Sequence, residues 1–442
     1  AGARVGAWLP LLEGPVVLKL PTVEQVYIDG IYTSYSGWIE GDEEGSLVTI
    51  TIGPSGTLGR IHSQGWMYLI ESKGMGKAHT LTVLGQLPPE APRDPDPDNA
   101  TSSSANQGVI RVLVLYSPAV AGQINTLAGN IVAEFNQSLG LSGVPSSNRL
   151  SLAGVQLVND DFTTLGARCR VDVLNQLANR QGIFSAVDLQ MTQTHADVAL
   201  LVVPNRPDFS ECEAGRGRIG GVAKNFNSSM PFALATDAYA LGDFTAPHEI
   251  GHVLGGNHES GGTATPHYAR GHRASDCSWQ TVMGGYVQCR FDFNQPDPTL
   301  QTTKRLPRWS NPLKTYMGQP TGTASRNMAA ALATQMPIVA AWGVDPPPPA
   351  SPAWLNVVSQ QCMGFNDVYW APSAGADAYE LHGSTNSAFT APSLIYVGPY
   401  THAFIDVGSS TWLRATACTG GSCSGFSPQD VANVWPGTCM QP

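Results

Sequence analysis

The first 88 residues alternate apolar and polar side chains in short runs, as at Tyr27 to Tyr32, Leu47 to Ile52 and Trp66 to Ile70, with the turn signal Gly53-Pro54-Ser55-Gly56 among them. A period of two over short stretches is the pattern of half-buried strands, so a small β domain is expected over 1–88. The alternation stops at 89–108. There Pro92-Arg93-Asp94-Pro95-Asp96-Pro97-Asp98-Asn99 and Thr101 to Ser104 offer no apolar side chain to bury, which predicts an exposed linker open to proteases.

From Val109 the period changes. A strand is expected at Val112 to Tyr116, then a helix from about Pro118 to Leu139 with Pro118 in its first turn, and a strand at Leu150 to Val158. Helical stretches at Val171 to Arg180 and Ser185 to Gln193 lead to the continuous apolar run Asp197 to Val203, which fits a strand buried on both faces. Strand and helix in alternation predict an α/β domain over 109–344, built on a twisted, mostly parallel sheet. Asp345-Pro346-Pro347-Pro348-Pro349 predicts a stiff linker over 345–352. Short β runs return over 353–442, at Asp367 to Trp370, Tyr379 to His382, Ser393 to Val397 and Thr411 to Ala417, and their spacing suits a small β-sandwich. No solenoid-type repeat is present.

Composition narrows the function. At 442 residues the chain is too long for one ordinary core, and its 13% charged residues and net charge of −10 give no basic surface for nucleic acid or anionic lipid. The segment Val5 to Leu20 is broken by Pro10, Glu13, Gly14 and Pro15, so neither a membrane helix nor a signal peptide is expected in this chain. The eight cysteines fall into two groups of four: Cys169, Cys212, Cys277 and Cys289, then Cys362, Cys418, Cys423 and Cys439. Neither group contains CxxC. Disulfides within separate domains are therefore expected, rather than zinc knuckles, in an oxidising extracellular or periplasmic compartment; a secreted monomer is the expectation carried forward. Loop closure favours Cys277 with Cys289, Cys169 with Cys212, Cys418 with Cys423 and Cys362 with Cys439, although four cysteines permit three pairings.

The chemistry concentrates at His248-Glu249-Ile250-Gly251-His252. Histidines four apart share one helix face and can reach one Zn²⁺, while Glu249 can act as general base on a water at the metal. The chain continues Val253-Leu254-Gly255-Gly256-Asn257-His258. His258 completes a three-histidine set only if the helix ends in a sharp turn, and Gly255 is the residue type that can supply it. Three protein ligands leave a fourth position open, as in catalytic zinc sites. The other histidines, His62, His79, His195, His267, His272, His382 and His402, lack ligand spacing and read as surface or hydrogen-bonded groups.

HExxHxxGxxH resembles the signature of the metzincin zinc peptidases, and Thr281-Val282-Met283-Gly284-Gly285-Tyr286 is similar to their methionine turn. Val112 to Ser117, Gly221-Val222-Ala223, Arg308-Trp309-Ser310-Asn311-Pro312 and Gly318-Gln319-Pro320-Thr321-Gly322 resemble the bacterial reprolysin-like group, including peptidyl-Asp peptidases. Two positions depart from that pattern. Glu259 stands where aspartate is usual, and Tyr286 lies three residues after Met283, whereas the astacin and serralysin tyrosine that reaches zinc lies two after.

The resemblance implies a zinc endopeptidase cutting proteins or peptides held by strand addition, with Met283 beneath the metal and the β domain at 1–88 acting as an inhibitory pro-region. It leaves calcium open. The terminal region resembles a fibronectin type III module at Trp370-Ala371-Pro372 and Ala378-Tyr379-Glu380-Leu381. Arg290, Tyr286 and Lys224 are the candidate substrate-binding residues. A competing expectation is an adhesion or carbohydrate-binding protein with a vestigial metal site, which the intact Glu249 disfavours.

Overall fold

The computed structural model describes residues 8–11, 14–27, 31–42, 46–63, 66–74, 77–86, 108–160, 162, 170–204, 221–223, 227–237, 240, 244–259, 263–284, 304–343, 348–360, 365–376, 378–390, 392–398, 400–405, 409–419 and 422–432. Contacts divide the chain into two compact units, Ala1–Val344 and Asp345–Pro442. No helix among the described residues is long and apolar enough to cross a membrane.

The first unit opens with an antiparallel meander of seven strands in sequence order: β1 (Trp8–Leu11), β2 (Gly14–Tyr27), β3 (Ile31–Ile39), β4 (Leu47–Gly53), β5 (Gly56–Ser63), β6 (Trp66–Lys73) and β7 (Thr80–Gln86). The alternating run expected at Tyr27 to Tyr32 is divided: Tyr27 ends β2, Ile31 and Tyr32 open β3, and residues 28–30 lie outside the described residues. Gly53-Pro54-Ser55-Gly56 joins β4 to β5, and Gly56 adopts φ +125°, where an added Cβ would meet the Ser72 carbonyl oxygen at 2.1 Å. One face of the meander carries its own apolar cluster, including Leu18, Leu20, Ile39, Val48, Ile61, Tyr68 and Ile70.

The rest of the unit is built on a five-stranded sheet. Its strands are β8 (Val109–Tyr116), β9 (Arg149–Leu157), β10 (Val198–Val203), β11 (Gly221–Ala223) and β12 (Phe232–Thr236), in the order β11-β12-β10-β8-β9. β8 runs parallel to β9 and β10, and β10 parallel to β12; only β11, at one edge, is antiparallel. Alternate residues of β8 and β10 feed two cores. Val112, Val114, Leu200 and Val202 join one with helices α1 (Ile124–Leu141), α4 (Thr245–Val253) and α5 (Met328–Val339). Leu113, Leu115, Ala199 and Leu201 join the other with α2 (Arg170–Ala178) and α3 (Val187–Thr194). Burial on both faces explains why β10 reads as unbroken apolar sequence.

The helix expected from Pro118 starts later. Pro118–Gln123 form a 3-10 turn capped by the Ser117 hydroxyl, and the α-helix begins at Ile124. Short pairs complete the unit: β13 (Trp279–Gln280) with β14 (Lys304–Arg305), and β15 (Thr315–Tyr316) with β16 (Gln319–Pro320).

The second unit contains β17 (Leu355–Gln360), β18 (Phe365–Trp370), β19 (Ala378–Ser384), β20 (Ser393–Gly398), β21 (His402–Ile405), β22 (Thr411–Thr419), β23 (Ser422–Cys423) and β24 (Asp430–Ala432). They form two sheets, β17-β18-β21 and β20-β19-β22-β23 with β24 on β22, around a core of Leu355, Val368, Trp370, Leu381 and Leu413. Cys418 is disulfide-bonded to Cys423 across the β22–β23 tip. Cys277 is also disulfide-bonded, while Cys169, Cys212, Cys289, Cys362 and Cys439 lie outside the described residues.

Candidate metal centre

Helix α4 is short and buried along its whole length. Phe244 precedes it in the left-handed region, φ 62°, and Pro247 sits in the first turn, where its missing N–H costs no helical hydrogen bond. The far end is closed by two backbone bonds: Gly256 N–H donates to the Gly251 carbonyl at 2.8 Å and Gly255 N–H to that of His252 at 2.9 Å. This is the Schellman arrangement, and it requires the φ of +88° that Gly255 adopts. A Cβ on Gly255 would lie 2.1 Å from the Thr265 carbonyl oxygen. The chain therefore reverses at Gly255 and brings His258 back over the helix.

Three imidazoles converge. His252 Nε2 lies 3.0 Å from His248 Nε2, and His258 Nε2 lies 3.2 Å from it. Nδ1 of His248 is 2.6 Å from the Val282 carbonyl oxygen, and Nδ1 of His252 is 2.8 Å from that of Gly256. A carbonyl only accepts, so both Nδ1 atoms carry the proton and both Nε2 atoms face the centre as lone pairs. Lone pairs this close repel unless a cation lies among them. Nitrogens bound tetrahedrally at 2.0–2.1 Å would stand roughly 3.3 Å apart, close to the separations found. The donor set fits zinc: three neutral imidazoles, two of them oriented by backbone carbonyls. Among the described residues one other group has metal-like proximity, Glu380 with Cys418 and Cys423, and its thiols are joined in the disulfide.

Glu249 is buried on the same helix, one residue after His248. Met283 is fully buried beneath it: a Cβ on Gly251, between the two helical histidines, would meet Met283 Sδ at 2.6 Å and the Trp309 ring at 2.8 Å. Trp309 is held in turn by α1. Its Nε1 donates to Ser138 Oγ at 2.8 Å and its backbone N–H to Ser142 Oγ at 2.7 Å, while its ring meets Phe135 edge-on at 5.5 Å.

The segment carrying His258 is fastened from the other side. Asn257 N–H donates to the Ala269 carbonyl at 2.8 Å, Arg270 Nη1 to that of His258 at 3.2 Å, and Arg273 pairs with Glu259, both side chains almost fully buried. Burial, followed by the charge of Arg326, lowers the pKa of Arg270 and Arg273 from their ordinary value. Burial is again the larger cause for His272, whose pKa is pushed below 6.5, with Arg326 adding to it.

The fold brings the sequence-predicted His248, Glu249, His252, Gly255, His258 and Met283 to one place. Arg290, Tyr286 and Lys224 lie outside the described residues. Arg273 was missed, although an acidic residue beside a buried ligand requires a nearby cation and Arg270 and Arg273 are the closest in sequence. Trp309 was noticed only through a resemblance; no local pattern shows that it packs under α4.

No family model matches the chain. It is 29% identical over 314 residues to a peptidyl-Asp metalloendopeptidase of Stenotrophomonas maltophilia (strain K279a), covering 65% of this chain and 67% of that protein. A peptidyl-Asp metalloendopeptidase of Xanthomonas campestris pv. campestris is 28% identical over 296 residues, 64% of each chain. Among solved structures, a chaperone–substrate complex aligns over 65% of this chain and 40% of its own at 14% identity, with a TM-score of 0.40. An Fn3-like protein from Clostridium thermocellum aligns over 21% of this chain and 98% of its own at 20% identity, with a TM-score of 0.18. At these scores neither structure bears on fold or function.

Proposed function

We propose that this chain is a secreted, zinc-dependent endopeptidase of metzincin type. The carrying observation is the convergence of three Nε2 atoms, two of them fixed as lone-pair donors by Nδ1 bonds to Val282 and Gly256. The peptidyl-Asp metalloendopeptidases it resembles support the same reading. His248, His252 and His258 hold the metal. Zinc, when bound, is a Lewis acid that polarises a carbonyl and lowers the pKa of water. The Glu249 carboxylate takes the proton from the attacking water and passes it to the leaving amine nitrogen, with no covalent intermediate. Edge strand β11 offers its backbone to an extended peptide, and Arg290 supplies a planar guanidinium for an acidic residue on the carboxyl side of the scissile bond. The disulfides at Cys277 and Cys418–Cys423 suit an oxidising compartment.

Glu249→Ala decides the role assignment. The variant is expected to bind one zinc per chain while losing nearly all casein cleavage, and His252→Ala is expected to lose the metal. A Glu249→Ala variant that cuts at the parent rate would remove Glu249 from the account. A peptide library read by mass spectrometry tests the acidic preference, which Arg290→Ala is expected to abolish.

A further inference from the structure

Helix α1 has no watery side. Residues 126–135 are buried without interruption, although the β8–β10 sheet can cover only one face of a helix. The remaining face is polar: Thr126, Asn130 and Gln137 recur at helical spacing along it. What covers that face is the amino-terminal meander, through β3, β4 and β5.

The covering surface is polar as well. Ser34, Thr51 and Leu58 are paired residues on three neighbouring strands. Asn130 Nδ2 donates to the Leu58 carbonyl at 2.9 Å, and Thr51 Oγ1 donates to Asn130 Oδ1 at 2.5 Å. Since Thr51 gives its one proton to Asn130, the 2.6 Å contact between Ser34 Oγ and Thr51 Oγ1 has Ser34 as donor. Gln137 Nε2 donates to the Gly37 carbonyl at 2.8 Å, and Ser55 Oγ lies 3.0 Å from Thr126 Oγ1. The approach is close over Gly129, where a Cβ would sit 3.3 Å from Thr51 Cγ2.

A polar stripe facing a polar stripe is the composition of an interface whose two sides can each stand in water, unlike a domain core cut in half. The meander's own apolar cluster faces away from α1 and shares no residue with the core beneath the metal site. Leu47 and Leu58 are its described side chains buried in that second core, which supplies the apolar part of the contact.

We propose that residues 8–86 are a separately cored module docked on the polar stripe of α1 in the manner of a bound protein, with Asn130 as its anchor. Cutting the chain between 87 and 107 leaves the module in place, and its release, not the cut, is the event that frees the rest of the unit. The module also touches the residue that precedes α4, the His62 ring meeting Phe244 edge-on at 6.1 Å.

The test installs a specific protease site between residues 87 and 107 of the 442-residue chain, cuts it, and follows both pieces by gel filtration and mass spectrometry over a dilution series. The cut parent is expected to co-elute at micromolar concentration, with zinc retained on the larger piece. Gly129→Leu wedges the contact open while improving the helix's own propensity, so its pieces are expected to separate with affinity weakened at least about tenfold, a difference of 1.4 kcal/mol. Asn130→Asp, which sets a carboxylate against the Leu58 carbonyl, is a second route to the same result. Parent pieces that part as soon as the chain is cut, or variant pieces that hold together as tightly as the parent's, overturn the proposal. Neither measurement depends on peptidase activity, so failure here is distinct from failure of the proposed function.

Discussion

The carbonyls of Val282 and Gly256 determine which nitrogen of His248 and His252 faces the centre, so the backbone around the histidines shapes the site as much as the imidazoles do. The third histidine depends on its neighbours differently. Glu259 follows His258 and is closed in by Arg273, with side-chain exposures of 4% and 6%. Arg273→Ala leaves a buried carboxylate without its cation, an expected loss of about 3–5 kcal/mol in denaturant unfolding, together with weaker zinc binding through displacement of His258. Replacing both partners, as in Glu259→Leu with Arg273→Met, is expected to recover most of the stability. A double variant no better than the single one would show that the pair does more than neutralise itself. His272 gives a pH signature. Its pKa is depressed below 6.5 in the folded protein, so on acidification the unfolded chain takes the proton first. Its contribution is present above pH 6.5 and is lost as pH falls from there through the folded value. In the metal-free protein, His272→Asn is expected to flatten the decline of stability below pH 6.5 relative to the parent.

At the scale of elements, the end of α4 decides whether the third histidine arrives. Gly255→Ala must hold a side chain at φ +88° and within 2.1 Å of the Thr265 carbonyl, so it costs about 1–2 kcal/mol from backbone strain alone, with displacement of the turn added. Zinc titration is expected to show affinity lowered by more than tenfold; parent-like affinity would mean that the turn can close in another way. Gly255 was legible because a third ligand six residues after the second forces a reversal and only glycine reverses there cheaply. The strands β8 and β10 were legible because burial on both faces leaves an unbroken apolar run. The polar stripe on α1 was not legible as a contact surface, since Thr126, Asn130 and Gln137 read the same whether they meet water or the hydroxyls and carbonyls of the meander. The 3-10 start at Pro118–Gln123 and the left-handed Phe244 were hidden as well, because tertiary packing outweighs the weak local preferences there.

On the scale of the whole molecule, the three converging histidines belong to one unit and the other has its own core around Trp370 and Leu381. A ligand that binds only the folded form stabilises the unit that holds it, by about 4 kcal/mol when free zinc is a thousandfold above its dissociation constant. The unit Ala1–Val344 is therefore expected to lose several degrees in melting temperature when a chelator strips the metal, while the unit Asp345–Pro442 melts as before. The disulfide Cys418–Cys423 marks the second transition, because reduction should lower the melting of that unit and chelation should not, whereas the first unit, which holds the disulfide-bonded Cys277, should respond to both. Differential scanning calorimetry of the intact chain, run with zinc, with chelator and with reductant, resolves the transitions. A single transition shifted as a whole by the chelator would show that the two units unfold as one, and a chelator-insensitive scan would show that the three histidines hold no metal worth several kilocalories.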